Sequence, residues 1–460
     1  MPATPPTPSR LVLQFGDIPM GQLLFRETDR TYAVELEEAF LRGRYEIAPV
    51  IYPYLDVFRS KLVEYSGGLE ATSPFAGGLP GFLSDSLPDK WGATLAQIED
   101  PARAFTPMDM FSRVGRGGPG AIHFRAPDAS PTTPKQSQES LTNLAERANG
   151  LYRGAVETKV RTAPLSVGGL LGGIFPKAVV HLPANACAGG VVAAPQILVG
   201  GDTPANSVPG IVKFSPVPDD EDQGAVEFAF HEMAKAAGLR LPAACLLVDG
   251  AGIRHFAVTR FDRIRRQDGT FKRLHVQSLS ALLHRRPVGE IRYEDFIVLA
   301  SRLGGPLEAR EAFRRVIFNL LSTNRDDHGR NHAFLYDPDV RLWKLAPAYD
   351  LNPNFSETLE AIRWGDGTEL PTRFTELIAL ARIGGISEAQ AMETFEEVDA
   401  AIEQWPQFAT AAGVRPEITK IWAEGIFSAT KQGGPLRADA RAYLLGKQQR
   451  RRTKRSSTNG

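Results

Sequence analysis

The chain of 460 residues contains only two cysteines, Cys187 and Cys245. So few thiols exclude a disulfide framework and make a reducing cytoplasm the expected location. Long apolar runs are missing too: no stretch of about 18 apolar residues predicts a membrane span. The N-terminal MPATPPTPSR lacks the apolar core of a signal peptide. His and Cys do not cluster at zinc-ligand spacing, which argues against a structural zinc site.

Net charge is also missing, because 53 Lys and Arg residues balance 53 Asp and Glu residues. A neutral chain has no overall field that attracts nucleic acid or a membrane surface. The local exception is the basic stretch from Lys447 to Arg455. Two interpretations of it stay open: a solvated tail, or an electrostatic contact with nucleic acid or an acidic partner.

Length and composition together predict an α+β protein of about two or three domains. Strand patterns dominate the first part of the chain, where Leu11–Phe25 indicates two strands around a turn. Helical patterns dominate the last part and predict helices at 278–283, 293–303, 308–323, 386–403 and 416–429. The predicted segments are a disordered tail at 1–9, a β-rich part at 10–125, a linker at 126–140, a sheet-rich part at 141–285, a helix-rich part at 286–435 and a basic tail at 436–460.

The polar stretch NRDDHGRN, at residues 324–331, has the residue types and spacing of a phosphoryl-transfer site. Protein kinases place a catalytic aspartate and a metal-binding asparagine in the pattern Asp-x-x-x-x-Asn. Asp326 and Asn331 have this spacing, whereas Asp327 does not. Mg²⁺ needs a second oxygen ligand. Asp350 in WKLAPAYDL is the candidate, because it follows a β-like segment that can pair with HAFLYD.

Further features upstream fit the same chemistry. Lys213 lies in the middle of the predicted strand IVKF, where a buried ammonium needs a partner, and Glu227 in the following helix is the candidate. Gly172 and Gly173, shortly before Lys177, belong to a glycine-rich turn whose N–H groups can approach phosphates. Each feature alone has an ordinary structural explanation. The glycine-rich turn fits a hairpin, and the lysines fit exposed side chains. Glu227 fits a solvated helix face, Asp350 a helix cap and His328 a core histidine. Their order along the chain favours a two-lobed kinase.

These stretches resemble the HipA-like serine/threonine kinases, the toxins of bacterial toxin–antitoxin modules. The resemblance is carried by LGGIFPKAVV, IVKFSP, AVEFAFHEMAKAAGL, VTRFDR and NLLSTNRDDHGRNHAFLYD with WKLAPAYDL. LVLQFGDIPMGQLLF, LPGFLSDSLPDKWG and VGRGGPGAIHF extend it over nearly all of residues 10–430. It implies a two-lobed protein-kinase-like fold with a β-rich N-lobe, an appended N-terminal subdomain and an all-helical C-lobe.

The resemblance also implies a role for each site residue. Asp326 would be the catalytic base, assisted by His328 and Lys213, and Asn331 and Asp350 would hold Mg²⁺. ATP would be bound by Gly172, Gly173, Lys177, Lys213, Glu227, His328, Asn331, Tyr349 and Asp350. Family members phosphorylate an aminoacyl-tRNA synthetase and so arrest growth. A helix-turn-helix antitoxin that binds operator DNA neutralises them. This chain would meet DNA only indirectly or through its basic tail, and it would not contact a membrane.

The chain departs from the family pattern at two places. The family's autophosphorylated serine corresponds to Leu170 here, so Ser166 is the candidate site instead. Residues 178–210, rich in Gly, Ala and Pro, indicate an elaborated loop that shapes substrate access.

Two alternative functions stay open. A small-molecule phosphotransferase is the first alternative, and RFDR and the N-terminal part disfavour it. A catalytically silent binding protein or repressor component is the second, and the complete Lys, Asp, Asn and Asp set disfavours it.

Overall fold

In a computed structural model, the chain forms two compact units. The first unit comprises Met1–Phe228, Pro242–Arg286 and Arg330–Ala346, and the second comprises Ala229–Leu241, Pro287–Gly329 and Pro347–Gly460. Neither unit is continuous in sequence, and the domain boundaries drawn from composition remain predictions. The described residues are 7–28, 30–64, 78–128, 135–154, 175–185, 190–194, 196–217, 220–351, 362–365, 370–428 and 433–457, with side chains as far as Lys447.

The first unit carries the β-structure. Its strands are β1 (Arg10–Phe15), β2 (Ile18–Arg26), β3 (Thr31–Leu36), β4 (Leu62–Glu64), β5 (Ile122–Arg125), β6 (Ser137–Ser140), β7 (Lys177–Pro183), β8 (Val191–Ala193), β9 (Gln196–Val199), β10 (Ser207–Lys213), β11 (Ala244–Val248), β12 (Arg254–Thr259), β13 (Arg263–Arg265), β14 (Phe271–Arg273), β15 (His275–Ser278), β16 (Ala333–Asp337) and β17 (Leu342–Leu345). They form sheets in the orders β4-β3-β2-β1-β5, β6-β9-β7-β10-β12-β11-β8, β13-β14 and β15-β16-β17.

Helices occur in both units. The first unit contains α1 (Glu38–Arg42), α2 (Tyr54–Ser60), α3 (Gly81–Ser84), α4 (Lys90–Glu99), α5 (Pro107–Val114) and α6 (Leu141–Tyr152), the start of α7 (Gln223–Ala236), and α8 (Leu279–Leu283). The second unit contains the rest of α7, then α9 (Tyr293–Gly304), α10 (Pro306–Leu321), α11 (Phe374–Ile383), α12 (Glu388–Ile402), α13 (Trp405–Ala412), α14 (Pro416–Phe427) and α15 (Gly433–Ser457). In the described part of the chain, no helix is both long and apolar enough to cross a membrane.

The N-terminal sheet forms as the sequence predicts. In β1, Leu11, Leu13 and Phe15 alternate with more exposed residues and are buried, which is the period of a strand with one face on a core. β1 pairs antiparallel with β2 across the turn at Gly16, with a register shift at Leu13. The two strands predicted in Leu11–Phe25 are therefore confirmed.

The seven-stranded sheet positions the first candidate residues. β10 is central and pairs antiparallel with both β7 and β12. Its Val212 is fully buried in a core shared with Trp91 of α4 and Leu144 of α6. The strand ends at Lys213, which was expected in the middle of the strand. This end position places the lysine ammonium at the margin of the apolar core rather than within it.

The second unit is built on α10, because this helix is buried along most of its length. Phe313 and Ile317 are fully buried, and so is Arg315, whose guanidinium donates to the Glu311 carboxylate one turn earlier at 2.9 and 2.8 Å. The helices predicted at 278–283, 293–303, 308–323, 386–403 and 416–429 are present within two residues at most ends. The predicted pairing of HAFLYD with the following segment is also present, as β16 with β17.

Four segments predicted as tails, linker or loop contain defined contacts or elements in the structure. In the segment at 1–9, Thr7 donates a hydrogen bond to Asp109 at 3.1 Å. The linker segment at 126–140 ends in β6. The segment at 178–210 contains most of β7, all of β8 and β9 and the start of β10, and β8 and β9 pair with β11 and β6. The tail at 436–460 continues a helix, α15, anchored where buried Arg437 donates to Asp399 at 2.6 Å. Cys245 is fully buried, and Cys187 lies outside the described residues.

Candidate active site

Lys213 and Glu227 form the ion pair that the sequence predicts. The Lys213 ammonium contacts the Glu227 carboxylate on the second turn of α7. Only 5% of the glutamate side chain is exposed, whereas 20% of the lysine side chain is exposed. The ammonium also lies 5.9 Å from the ring centre of Phe256 on β12, within the range of a cation–π contact. The pair holds a cation in place on a side chain that remains partly exposed.

Ser215 fixes α7 in the orientation that this pair requires. Its hydroxyl accepts the N–H of Gly224 at 2.9 Å and donates to the Arg254 carbonyl at 2.7 Å. A side chain at Gly224 would meet the Arg254 oxygen at 2.5 Å, so only glycine allows the helix to approach β12 this closely. The Ser215 N–H also donates to His255 at 3.2 Å. Only the position of Ser215, two residues after Lys213, could have indicated this role from sequence.

Lys177 lies beside Lys213 but has its own partner. The two residues face each other in the antiparallel register of β7 and β10. The Lys177 ammonium forms an ion pair with Asp89, and the two side chains are only 7% and 5% exposed. The nucleotide contact proposed for Lys177 from the sequence therefore has to compete with a buried carboxylate.

The two adjacent aspartates of the NRDDHGRN loop have different environments. The Asp326 side chain is 43% exposed, with one oxygen 3.7 Å from Nε2 of His328. Asp327 is 1% exposed, and its carboxylate accepts the Tyr293 hydroxyl at 2.6 Å. Its carbonyl oxygen also accepts the N–H of Ile362 at 2.7 Å. The Asp326 side chain is therefore partly exposed to solvent, whereas Asp327 holds the loop in place.

The Tyr293 hydroxyl is held in its protonated form. Burial, and then the Asp327 carboxylate, raise the pKa of Tyr293 well above its usual value. The tyrosine hydroxyl therefore keeps its proton and remains a donor. Two further bonds fix the loop, because the Asn324 side chain accepts the N–H of Asp326 at 3.2 Å and Gly329 donates to the Pro287 carbonyl at 2.9 Å.

Asp350 follows β17 in a segment anchored within the second unit. The N–H of Ala348 donates to the Arg240 carbonyl at 2.7 Å, and the Arg240 N–H donates to Glu311 at 3.1 Å. Asp350 has a φ of 57°, in the left-handed region that aspartate tolerates better than most residues. This conformation sets the direction of its side chain, and such backbone positions are often found at ligand sites.

The predicted site residues fall into two groups. Lys177, Lys213, Glu227 and Asn331 belong to the first unit, and Asp326, His328, Tyr349 and Asp350 belong to the second. Asn331 is buried, and Tyr349 is half-buried. Gly172, Gly173, Leu170 and Ser166 lie outside the described residues.

Oxygen donors dominate this set, which suits a hard cation such as Mg²⁺. Among the described residues, no group of three or more His, Cys, Asp or Glu side chains could hold a metal ion alone. Mg²⁺ in nucleotide enzymes is normally bound by one or two protein oxygens together with phosphate oxygens. The amide of Asn331 and the carboxylate of Asp350 each carry an oxygen of the kind that Mg²⁺ takes as a protein ligand.

Comparison with known proteins gives a consistent result. Residues 169–405 match the HipA-like C-terminal domain, and residues 12–125 match the HipA N-terminal domain. A HipA chain from Shewanella oneidensis MR-1, solved in a complex of the toxin–antitoxin system with HipB and operator DNA, has a TM-score of 0.64. The two are 18% identical, with 94% of this chain and 97% of that chain covered. The likeness shows a shared fold.

Two proteins of Sinorhizobium fredii that are named as kinases are similar in sequence. Y4mE is 28% identical over 201 residues, which is 42% of this chain and 42% of that protein. Y4dM is 25% identical over 292 residues, which is 59% of this chain and 62% of that protein. The chain thus matches less than two thirds of the length of either relative.

Proposed function

The chain belongs to the HipA-like family, and on that premise we propose that it is a serine/threonine protein kinase that uses ATP and Mg²⁺. The observation that carries the proposal is the ion pair between Lys213 on a sheet strand and Glu227 on the following helix. Active protein kinases hold the lysine that contacts ATP phosphates with a helix glutamate in the same way.

In the proposed reaction, a substrate hydroxyl oxygen forms a bond to the γ-phosphorus of ATP. The bond between that phosphorus and the β,γ-bridging oxygen breaks, and ADP leaves. Asp326 accepts the hydroxyl proton, since its carboxylate is exposed and held on a fixed loop. Lys213 neutralises phosphate charge, and His328 beside Asp326 contacts the phosphates.

The remaining predicted residues complete the proposed site. Backbone N–H groups at Gly172 and Gly173 would approach the phosphates, and Tyr349 would contact the nucleotide. Asn331 and Asp350 would hold Mg²⁺, which neutralises charge on the phosphate oxygens when bound. Ser166 is the proposed site of autophosphorylation.

The biological role that we propose is that of a growth-arresting toxin. Its protein substrate would be a translation factor such as an aminoacyl-tRNA synthetase, and a helix-turn-helix antitoxin would neutralise it. Similarity to a HipA chain solved with HipB and operator DNA supports an antitoxin partner. The low share of cysteine supports a cytoplasmic location.

The test is transfer of labelled phosphate from ATP in a host lysate. We expect the label on a protein, at serine or threonine, and only with Mg²⁺ present. Label found on a small molecule would support a small-molecule phosphotransferase instead. Absence of any transfer, by protein shown to bind ATP, would favour a catalytically silent binding protein.

Asp350→Asn is expected to weaken Mg²⁺-dependent ATP binding. The substitution keeps the shape of the side chain but removes the charge that favours a divalent cation. Calorimetric titration with ATP should show a lower affinity in Mg²⁺ and little difference in EDTA. Equal affinities for the two proteins in Mg²⁺ would contradict the metal role.

Tyr293→Phe is expected to loosen the catalytic loop. The change deletes one hydroxyl and leaves the buried Asp327 carboxylate without that donor, at a cost of about 1–3 kcal/mol. Urea unfolding should report the loss of stability, and the rate of phosphate transfer should fall with ATP affinity little changed. Tyr152→Phe, at an exposed tyrosine, is the matched control. A Tyr293→Phe protein as stable and active as the wild type would remove Tyr293 from the site.

A further inference from the structure

Lys177 and Lys213 place two cations next to each other on one face of the sheet. They are direct partners in the antiparallel register of β7 and β10, so their side chains leave the sheet on the same side. Like charges directly opposite each other destabilise a strand pair unless each is compensated. Glu227 compensates Lys213, and Asp89 compensates Lys177.

Asp89 belongs to the N-terminal part of the chain and acts at the start of α4. One of its carboxylate oxygens accepts the N–H of Gly92 at 2.8 Å and caps the helix. The other oxygen faces the Lys177 ammonium. Two residues later, the indole N–H of buried Trp91 donates to the backbone carbonyl of Lys177 at 3.0 Å. The first turn of α4 therefore holds both the side chain and the main chain of Lys177.

We infer that Asp89 is a positioning residue of the kinase site, which acts on Lys213 through the buried Lys177. This inference rests on the proposed function. With Asp89 in place, the Lys177 ammonium is neutralised and Glu227 remains with Lys213. Without the Asp89 charge, the buried Lys177 ammonium would lie beside Lys213 without that counter-charge, and we expect it to compete for Glu227, the carboxylate that pairs with Lys213. The N-terminal part thus contributes to the nucleotide site without touching the nucleotide.

Lys177 is accordingly a structural cation rather than a nucleotide ligand in this arrangement. Its side chain is 7% exposed, against 20% for Lys213. Burial of an ion pair is tolerated because both charges are present, and it becomes costly when only one is removed. Removing both charges should therefore do less harm than removing one.

Asp89→Asn separates the charge from the helix cap, since asparagine caps a helix as well as aspartate does. We expect the KM for ATP to rise about tenfold, the size of coupling found within one polar network, with a smaller change in kcat. The double variant Asp89→Asn with Lys177→Gln should return the KM to within about threefold of the wild type. Glu99→Gln, at the exposed far end of α4, is the control and should leave both constants unchanged.

Initial rates give the KM for ATP, binding of a fluorescent ATP analogue gives the affinity, and circular dichroism confirms folding. An unchanged KM in Asp89→Asn would overturn the inference. A double variant that is folded but as weak as Asp89→Asn, or weaker, would also overturn it, because Lys177 would then contact the nucleotide itself. If Asp89→Asn does not fold, the double variant alone decides: a KM within about threefold of the wild type supports the inference, and a KM raised about tenfold or more overturns it. A wild-type protein that binds no nucleotide would instead refute the proposed function.

Discussion

Replacing Asp326 by asparagine is expected to lower the rate of phosphate transfer by about 10²–10⁴-fold, the usual contribution of a general base. Asparagine fills the same space but cannot accept the proton of the substrate hydroxyl. ATP affinity should change little, because the carboxylate acts on the hydroxyl and not on the nucleotide. Initial rates with labelled ATP and separate binding titrations would give both quantities.

The choice of Asp326 over its neighbour makes this prediction specific. Asp326 is 43% exposed on the loop, whereas Asp327 is buried and accepts the Tyr293 hydroxyl. Asp128→Asn, at an exposed loop aspartate, is the matched control and should transfer phosphate at the wild-type rate. If Asp326→Asn retained that rate as well, another group would have to be the base.

Local and ordered features of the chain were predictable from sequence. Helices α9, α10, α12 and α14 follow from apolar periodicity, which is a property of neighbouring residues, whereas α11, α13 and α15 were not predicted. The pair of Lys213 and Glu227 was predicted because a strand followed closely by a helix brings residues 14 positions apart together. The Asp-x-x-x-x-Asn spacing to Asn331 distinguishes Asp326 from Asp327 by sequence alone.

Partners that are distant in sequence were not predictable. Trp91 contacts Lys177 across 86 residues, and Tyr293 contacts Asp327 across 34. Nothing in either local sequence specifies which buried group it meets, since the fold alone brings the two together. Short edge strands such as β8 were not predicted either, because three residues show too little alternation of apolar and polar side chains to identify a strand.

Asp262 in the RFDR stretch gives the largest expected loss of stability. Its carboxylate is fully buried and accepts the side chain of Arg260 at 3.0 and 2.8 Å, Nη1 of Arg263 at 2.7 Å and the N–H of Gly120 at 2.7 Å. Asp262→Asn removes the negative charge and leaves buried guanidiniums uncompensated, at a cost of about 3–5 kcal/mol. Urea unfolding of the two proteins would measure the difference.

The Asp262 cluster also joins segments that are far apart in sequence. The Gly118 carbonyl accepts from Arg260 at 2.8 Å and from Arg263 and Arg273 at 3.0 Å each, across as many as 155 residues. Gly120 has a φ of 72°, and a side chain there would meet the backbone nitrogen of Val276 at 3.0 Å. The carboxylate of Asp262 therefore holds the N-terminal part against the strands that follow RFDR.

The pH dependence offers a second measurement of the same interaction. Burial opposes ionisation of Asp262, but the guanidiniums of Arg260 and Arg263 outweigh it and hold the pKa well below its usual range. A depressed pKa adds stability that is present above the unfolded-state value, about 3.9, and is lost as the pH falls through the folded-state value. The wild type should therefore lose stability in strong acid more steeply than Asp262→Asn does.

Asp268→Asn, at the exposed tip of the hairpin between β13 and β14, is the matched control. It removes one negative charge from the same part of the chain without uncovering a buried cation, so its unfolding midpoint should stay close to that of the wild type. An Asp262→Asn protein that unfolded at the same urea concentration as Asp268→Asn would show that the carbonyl oxygens alone compensate the arginines. The loss of an entire charge is a stricter test than truncation to alanine, because the packing of the site is preserved.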